Sequence, residues 1–346
     1  MCIKLLKTPL LEKNNNLYIN YKKINYINMS EENNMSEEDY LKKHISDVES
    51  GNSFMNSDIP IVEESSSSDD FNSNAKLSDS EYFAYDVKSF PCGVSYPSGT
   101  KIMVRPAKTI EIQNYSMVDD KNFYDIVEKM NLMLQSCVRV KYPDNKMGTY
   151  LDVKDQDRLY IIFLIRELTF QNGKQLSVKS DCTCGTKNEI ELTSKNFVFH
   201  GVDEKLDSCF DKATKTYKFD LVNGMSYELA PPNIGIQKAF TEYIVKENAE
   251  DKKPNVSFLK IIPFLLPNRN SISYEGIQSK LEEFQKIDDV SFQFLNDVVG
   301  KMTFGVKELK KKCKSCGMGV TTKMTFPNGA SGIFVVHDAF DLYLKK

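Results

Sequence analysis

Tryptophan is missing from the sequence, and histidine occurs only three times, as His44, His200 and His337. A catalytic zinc site keeps an open position and usually draws on histidine or carboxylate ligands. His44 falls in an acidic stretch, His200 follows the strand-like Phe197-Val198-Phe199, and His337 falls in a C-terminal helical pattern, so each reads as an ordinary surface or core histidine. No H-E-x-x-H, G-x-S-x-G, Walker A or G-x-G-x-x-G motif is present, which removes the common signatures of metalloproteases, serine hydrolases and nucleotide enzymes. No run of about 18 apolar residues occurs, so a helical membrane span is not expected. The longest apolar runs, Leu159–Leu168 and Phe258–Leu266, are interrupted by Arg166, Lys260 and Pro263 and have the length of buried helices. Residues Met1–Leu11 lack the long apolar core and small-residue cleavage site of a secretory signal. Eight cysteines in 346 residues are too sparse for a disulfide scaffold, so free or metal-bound thiols in a reducing cytoplasm are expected. Strong net charge is absent too: a formal −3 leaves no overall nucleic-acid footprint. The missing tryptophan, with abundant Asn and Lys, points to an AT-rich genome and carries no mechanistic meaning.

What is present divides unevenly. Apolar residues make up 41% and charged residues 27%, enough to bury a core. Between Ser30 and Asp86 there are 15 acidic residues against Lys42, Lys43 and Lys76, a net of −12, while residues 87–346 carry +5. The run Glu63-Glu64-Ser65-Ser66-Ser67-Ser68-Asp69-Asp70 has too little apolar surface to offset its ordering entropy. Residues 1–85 are therefore expected to be a disordered acidic tail, solvated or folding on a basic partner, with a short helix near Glu37–Val48. Residues 1–28 read like translated AT-rich DNA. Met29 and Met35 each open a Met-Ser-Glu-Glu sequence and are the expected translation starts.

From residue 86 to 346 the pattern is that of a folded α+β body: a helical core with small antiparallel sheets and hairpins. Pro97-Ser98-Gly99 is a turn, and Lys101–Arg105 alternates as a strand should. Thr109–Val118 extends that hairpin or opens a helix. Asp119-Asp120 would cap a helix over Lys121–Val138, whose apolar stripe includes Cys137 as a buried thiol. Asp155–Thr169 is apolar nearly all round and should be central. Short strands are expected at Gln175–Val178 and Glu189–Leu192. A hairpin is expected at Tyr217–Val222 and Ser226–Leu229, with Asn223-Gly224 signalling a type I′ turn. Helices follow at 235–249, 255–266, 273–286 and 290–302, with Pro263 ending or kinking the second. Strands at Val306–Lys311 and Val320–Phe326 and a helix over Gly332–Leu344 close the chain.

The one chemical constellation is Cys182-Thr183-Cys184-Gly185 and Cys313-Lys314-Ser315-Cys316-Gly317. Each cysteine pair sits in a turn between two expected strands, and a glycine follows each second cysteine. This is the arrangement of a zinc knuckle: neighbouring turn positions aim two thiolates at one ion, and glycine allows the positive φ of the tight turn. Two knuckles make a zinc-ribbon-like element. The expected ligands of one structural Zn2+ are Cys182, Cys184, Cys313 and Cys316, although C-x-C is a less common spacing than C-x2-C and the halves lie 129 residues apart. Unmetallated thiols and a disulfide pairing are the competing readings. Cys2, Cys92 and Cys209 are solitary, with no basic partner evident. Lys307, Lys310, Lys311, Lys312 and Lys314 surround the second pair and read as a solvated strand face or a nucleic-acid contact.

The order of these features resembles the T4-type bacteriophage baseplate hub family. The resemblance rests on Tyr96-Pro97-Ser98-Gly99-Thr100-Lys101-Ile102-Met103-Val104-Arg105-Pro106, on the Asp157-Arg158-plus-apolar helix Leu159–Arg166, and on the two cysteine turns, the second followed by a strand and Phe334. It spans residues 86–346 and leaves out the acidic tail. It implies a non-catalytic structural or assembly protein of a contractile tail baseplate. Its implied partners are other baseplate and tail proteins, it acts in the host cytoplasm during assembly or in the virion tail, and it has no small-molecule substrate. A zinc-ribbon nucleic-acid-binding accessory protein is the alternative. The +5 charge of residues 87–346 is small for that role.

Overall fold

A computed structural model describes residues 81–171, 175–324 and 329–334. The acidic stretch up to residue 80, the candidate starts Met29 and Met35, the helix expected at Glu37–Val48, Cys2, His44 and His337 lie outside the described residues, as does nearly all of the expected closing helix. Among the described residues the architecture is mixed α+β, with helices and several small antiparallel sheets.

The chain first builds a four-stranded antiparallel sheet from β1 (Phe83–Asp86), β2 (Lys101–Val104), β3 (Val138–Lys141) and β4 (Met147–Gly148), in that order. Phe83–Asp86 pairs with Val104–Lys101. Pro97-Ser98-Gly99-Thr100 closes as a turn, with the Thr100 N–H donating to the Pro97 carbonyl at 3.1 Å. Between β2 and β3 lie α1 (Thr109–Ser116) and α2 (Phe123–Cys137). Asn122, rather than Asp119-Asp120, caps α2: its side chain accepts from the Tyr124 and Asp125 N–H groups. Asp120 instead accepts from the Ser331 N–H and hydroxyl at 2.8 and 2.6 Å. Cys137 is fully buried, as its place on the apolar stripe requires.

The central element is α3 (Arg158–Thr169), preceded by a 3-10 turn over Asp155–Asp157. Ile161, Ile162, Phe163, Leu164 and Ile165 are all buried, so core surrounds the helix. Each such side chain contributes roughly 1.5–3 kcal/mol when withdrawn from water. Arg166 is buried with them and is held by Gln175 Oε1 at 2.9 Å and by the Phe170 ring at 4.9 Å. After α3 come the hairpin β5 (Ser177–Asp181) and β6 (Lys187–Glu191), then β7 (Phe197–His200).

The chain then leaves to form a second core. β8 (Phe210–Asp211), β9 (Thr216–Asp220) and β10 (Ser226–Leu229) make a small sheet, followed by α4 (Ile234–Ala249), α5 (Val256–Ile261), α6 (Tyr274–Phe284) and α7 (Asp289–Lys301). Pro263 ends α5, and the chain continues as a 3-10 turn over Ile262–Leu265. The β9–β10 connection differs from the expected two-residue type I′ turn. Asp220 pairs with Ser226, the Leu221 N–H donates to the Met225 carbonyl, and Gly224 N–H to that of Leu221. Only Gly224 has positive φ, +81°, whereas type I′ needs it at both central residues. Extending the ladder through Leu221 and Met225 makes this a three-residue loop with glycine in the left-handed position.

The chain returns through β11 (Gly305–Lys312) and β12 (Gly319–Thr322). β11 lies between β12 and β7, with Leu309 opposite Phe197 and Gly305 opposite His200. Two hydrophobic cores result. The cysteine lobe is built chiefly from residues 87–197 and 304–334, and the helical lobe from residues 206–302. Residues 152–156 clasp the helical lobe at two places, the β10–α4 connection and the C-terminal end. The Val153 carbonyl accepts from Ile234 N–H at 2.8 Å, Asp155 N–H donates to Pro232, and Lys154 Nζ donates to Pro231 at 3.0 Å. The Gln156 side chain donates to the Met302 carbonyl and accepts from Phe304 N–H.

Candidate metal centre

The two cysteine turns are the tips of two hairpins that face each other. In the β5–β6 turn, Cys182 N–H donates to the Thr186 carbonyl and Gly185 N–H to that of Cys182, both at 2.9 Å. In the β11–β12 turn, Cys313 N–H donates to Met318 at 2.7 Å and Gly317 N–H to Cys313 at 3.0 Å. Gly185 and Gly317 have φ of +81° and +73°, a region that favours glycine. Open space surrounds both, so backbone conformation rather than crowding demands a glycine there. The C-x-C turn is one residue tighter than the C-x2-C turn, yet both present two sulfurs.

Strand β11 alternates so that Leu309, Lys311 and Cys313 face the first hairpin. Lys311 Nζ donates to the Glu189 carbonyl at 2.9 Å, and the Ser180 hydroxyl donates to the Thr321 carbonyl at 3.3 Å. Beneath these contacts Ile190, Leu192, Leu309 and Val320 are buried together.

The sulfurs of Cys182, Cys184, Cys313 and Cys316 all lie within 4.8 Å of one another. Cys182 Sγ is 3.6 Å from Cys316 Sγ, and Cys184 Sγ is 3.8 Å from Cys313 Sγ. Zinc–sulfur bonds of about 2.3 Å in a regular tetrahedron place sulfurs about 3.8 Å apart. The cluster is therefore compatible with one tetrahedral metal ion. Cys182 and Cys313 are buried, whereas Cys184 and Cys316 are exposed, so the site sits at the rim of the core. Backbone N–H groups of Cys316 and Ser315, aimed at Cys313, hold its thiol down to about 6. Cys316 receives the Met318 N–H, which lowers it, but the three neighbouring sulfurs push it up to about 12. Four thiolates this close repel one another, and a cation among them is what lets all four ionise.

No protein-family profile, curated protein or solved structure matches the chain.

A further residue that holds the cysteine cluster escaped sequence reasoning. Asn188, on β6 and 4% exposed, donates from Nδ2 to Cys313 Sγ at 3.5 Å and to the Thr186 carbonyl at 3.0 Å. Its Oδ1 accepts from Lys314 N–H at 3.1 Å, so one side chain from the first hairpin fixes the turn of the second. Thr186 Oγ1 lies 3.3 Å from Cys184 Sγ. The available signal was the alternation of β6, which turns Asn188 inward beside Ile190, but its partners belong to a turn far along the chain.

The other nominated residues lie elsewhere. His200 ends β7 and is half-buried; burial, then Lys307, lowers its pKa. Cys92 is not without a basic neighbour: Lys154 and Asp157 flank it, and burial pushes its thiol well above the usual range. Burial likewise raises Cys137 to about 12. Both are poor nucleophiles at neutral pH. The two short motifs at 96–106 and 157–166 meet in this place. Asp157, fully buried, accepts from Cys92 N–H at 2.8 Å and from the Tyr96 hydroxyl at 2.7 Å, and that hydroxyl accepts from Lys154 N–H at 2.8 Å. Burial lifts the Asp157 carboxyl to about 6 and brings Lys154 down to about 8. Lys154 reaches on to Pro231, so this network ties the cysteine lobe to the clasp.

Proposed function

We propose that the chain is a non-catalytic structural or assembly component of a contractile phage tail baseplate hub, its body stapled by one structural zinc ion in a zinc-ribbon-like element. The observation that supports this reading is the convergence of four sulfurs, from turns 129 residues apart, to within 4.8 Å of one another. Four protein ligands complete a zinc coordination shell and leave no open position for a substrate, the mark of a structural site. The ion would join the tip of the β5–β6 hairpin, which precedes the helical lobe, to the tip of the β11–β12 hairpin, which follows it. Closing a loop of about 100 residues restricts the unfolded chain by roughly 4–5 kcal/mol in the disulfide model, comparable to a domain's whole net stability. A rigid stapled body suits a building block held by many neighbours. The baseplate assignment itself draws on the resemblance in residues 96–106, 157–166 and the cysteine turns, of which Tyr96 and Asp157 share one buried hydrogen bond. On this reading the chain works in the host cytoplasm during assembly or in the virion tail, with other tail proteins as partners. Among the described residues no helix is long and apolar enough to cross a membrane.

The deciding experiment is affinity recovery of the tagged protein from infected cells, with elemental analysis of the purified chain. Tail proteins in stoichiometric amounts and one zinc per chain are expected. Recovery of polymerase or nucleic acid without tail proteins would overturn the baseplate reading. Iron in place of zinc, or no metal, would overturn the zinc assignment alone. The nucleic-acid alternative has one observation in its favour, the exposed lysines of β11, and predicts steeply salt-dependent oligonucleotide binding.

A further inference from the structure

The two hairpins of the metal centre differ in charge. On β5–β6, cross-strand neighbours balance: Lys179 lies opposite Glu189, and Asp181 opposite Lys187. On the β11–β12 hairpin, residues 305–324 hold six lysines against Glu308, a net of +5. Lys310 and Lys312 project from the face opposite Cys313, Lys314 stands at the turn, and all three are exposed. Lys310 lies across the partner strand, its Cε 3.4 Å from the place a Cβ on Gly319 would occupy. Among the described residues none of these three lysines has a carboxylate partner, whereas Lys218, Lys252, Lys280 and Lys301 all do. The +5 of this one hairpin equals the net charge of all of residues 87–346, so the rest of that stretch is neutral overall.

The complementary charge is in the same chain. Residues 58–70 carry Asp58, Glu63, Glu64, Asp69 and Asp70 and no lysine or arginine, a net of −5. Eleven residues lead from Asp70 to Glu81, up to roughly 37 Å of chain at about 3.4 Å per residue. β1 pairs with β2, and β2 and β11 both pack on α3, a helix about 10 Å across. We infer that the Lys310–Lys312–Lys314 face of the second cysteine hairpin is a docking surface for an acidic polypeptide, occupied in the free protein by residues 58–70 of the same chain. An acidic peptide fits better than nucleic acid, because no aromatic side chain interleaves with these lysines to stack on bases. The inference does not rest on the identity of the metal or on the baseplate reading.

The test is lysine acylation of the full-length, metal-loaded protein by an N-hydroxysuccinimide ester, read by mass spectrometry, with Lys187 on the balanced hairpin as internal reference. At low salt Lys310, Lys312 and Lys314 should react about three- to tenfold more slowly than Lys187, the scale of a few exposed ion pairs. The ratio should approach one in about 1 M salt, where the screening length is about 3 Å. It should also do so in the Glu63→Gln, Glu64→Gln, Asp69→Asn, Asp70→Asn variant, which leaves the folded residues untouched. Carbodiimide coupling should link residues 58–70 to Lys310–Lys314, and in a mixture of isotopically light and heavy chains the links should stay within one isotope. Full reactivity at low salt, or slow reaction that persists in the neutralised variant, would overturn the inference. Mixed-isotope links would overturn the intramolecular occupant. Equal binding of a single-stranded oligonucleotide by the intact and neutralised chains would show the face open, and would overturn it as well.

Discussion

The helical lobe takes its core from one continuous stretch, Leu206 to Met302, whereas the cysteine lobe assembles residues 87–197 with residues 304–334 across it. In the helical lobe the informative contacts are local. Asn255, Ser273 and Asp288 each accept from backbone N–H groups in the first turn of the helix they precede, so those helices begin where their own sequence says. The cysteine lobe has to close a long loop before its last strands find partners, and loop closure costs entropy without any local reward. It carries fasteners accordingly: β7 paired with β11, the clasp at 152–156, and the sulfur cluster. A staple stabilises most where the loop it closes is long; the β7–β11 pairing and the Gln156 bonds lie at the neck of the inserted lobe, and the sulfur cluster lies at the hairpin tips beyond it.

That contrast can be broken or sharpened. The largest effect belongs to Cys313→Ser. On the proposed structural-zinc reading it should abolish metal binding and lower stability by on the order of 4–5 kcal/mol, the loop-closure term for about 100 residues. Hydrogen exchange should show β5, β6, β11 and β12 losing protection while α6 and α7 keep theirs. Equal loss in α6 and α7 would make the two lobes one cooperative unit, and full metal retention in a stable variant would remove the shared site. Next is Leu295→Ala, at a fully buried position of the helical lobe. It should cost about 2–5 kcal/mol by denaturant unfolding, with metal content unchanged. Asn188→Ala leaves all four sulfurs in place and should weaken metal binding about 10–100-fold in a chelator competition. An unchanged affinity would reduce Asn188 to a packing residue.

The smallest effect is a pH dependence at the junction of the lobes. Burial raises the Asp157 carboxyl from 3.8 to about 6. A carboxyl raised in the folded state contributes stability that is present below the unfolded value and lost as pH climbs through the folded one. Relative to Asp157→Asn, the natural protein should therefore lose unfolding free energy between about pH 4 and 6 and stay level above that, as read from denaturant melts. A flat difference across the window would mean that the carboxylate keeps its charge in place through its Cys92 and Tyr96 partners.

Several elements were legible before any coordinates. The helix expected at 235–249 is Ile234–Ala249, and that expected at 273–286 is Tyr274–Phe284, because apolar spacing, and for the second helix the Ser273 cap, are short-range signals. Pro263 ended α5 because a ring in place of an N–H acts on its own turn. Misreadings came where two local signals competed. Asp119-Asp120 resembles a cap, but Asn122 holds the α2 N-terminus and Asp120 is taken by Ser331, a residue 211 positions away. Asn223-Gly224 resembles a type I′ turn, but Asn223 Nδ2 donates to Asp288 and Ser291 of the α7 N-terminus, and the loop opened by one residue. Lys154 and Gln156 carried no readable sign, and Asn188 only the alternation of β6, since each works on carbonyls, N–H groups or sulfurs contributed by distant chain.

By itself the sequence determined that four thiols stand in two glycine-closed turns, that a central apolar helix needs burial on every side, and that acidic and basic charge fall in different stretches. These follow from residue type, spacing and backbone preference over a few positions. Only the tertiary structure decided that the sulfurs of the two turns meet within 4.8 Å, that one segment holds the helical lobe at two places, and that Tyr96 closes on Asp157. Each of those depends on the packing of everything between the partners, and no pattern of a few residues encodes how a long loop closes.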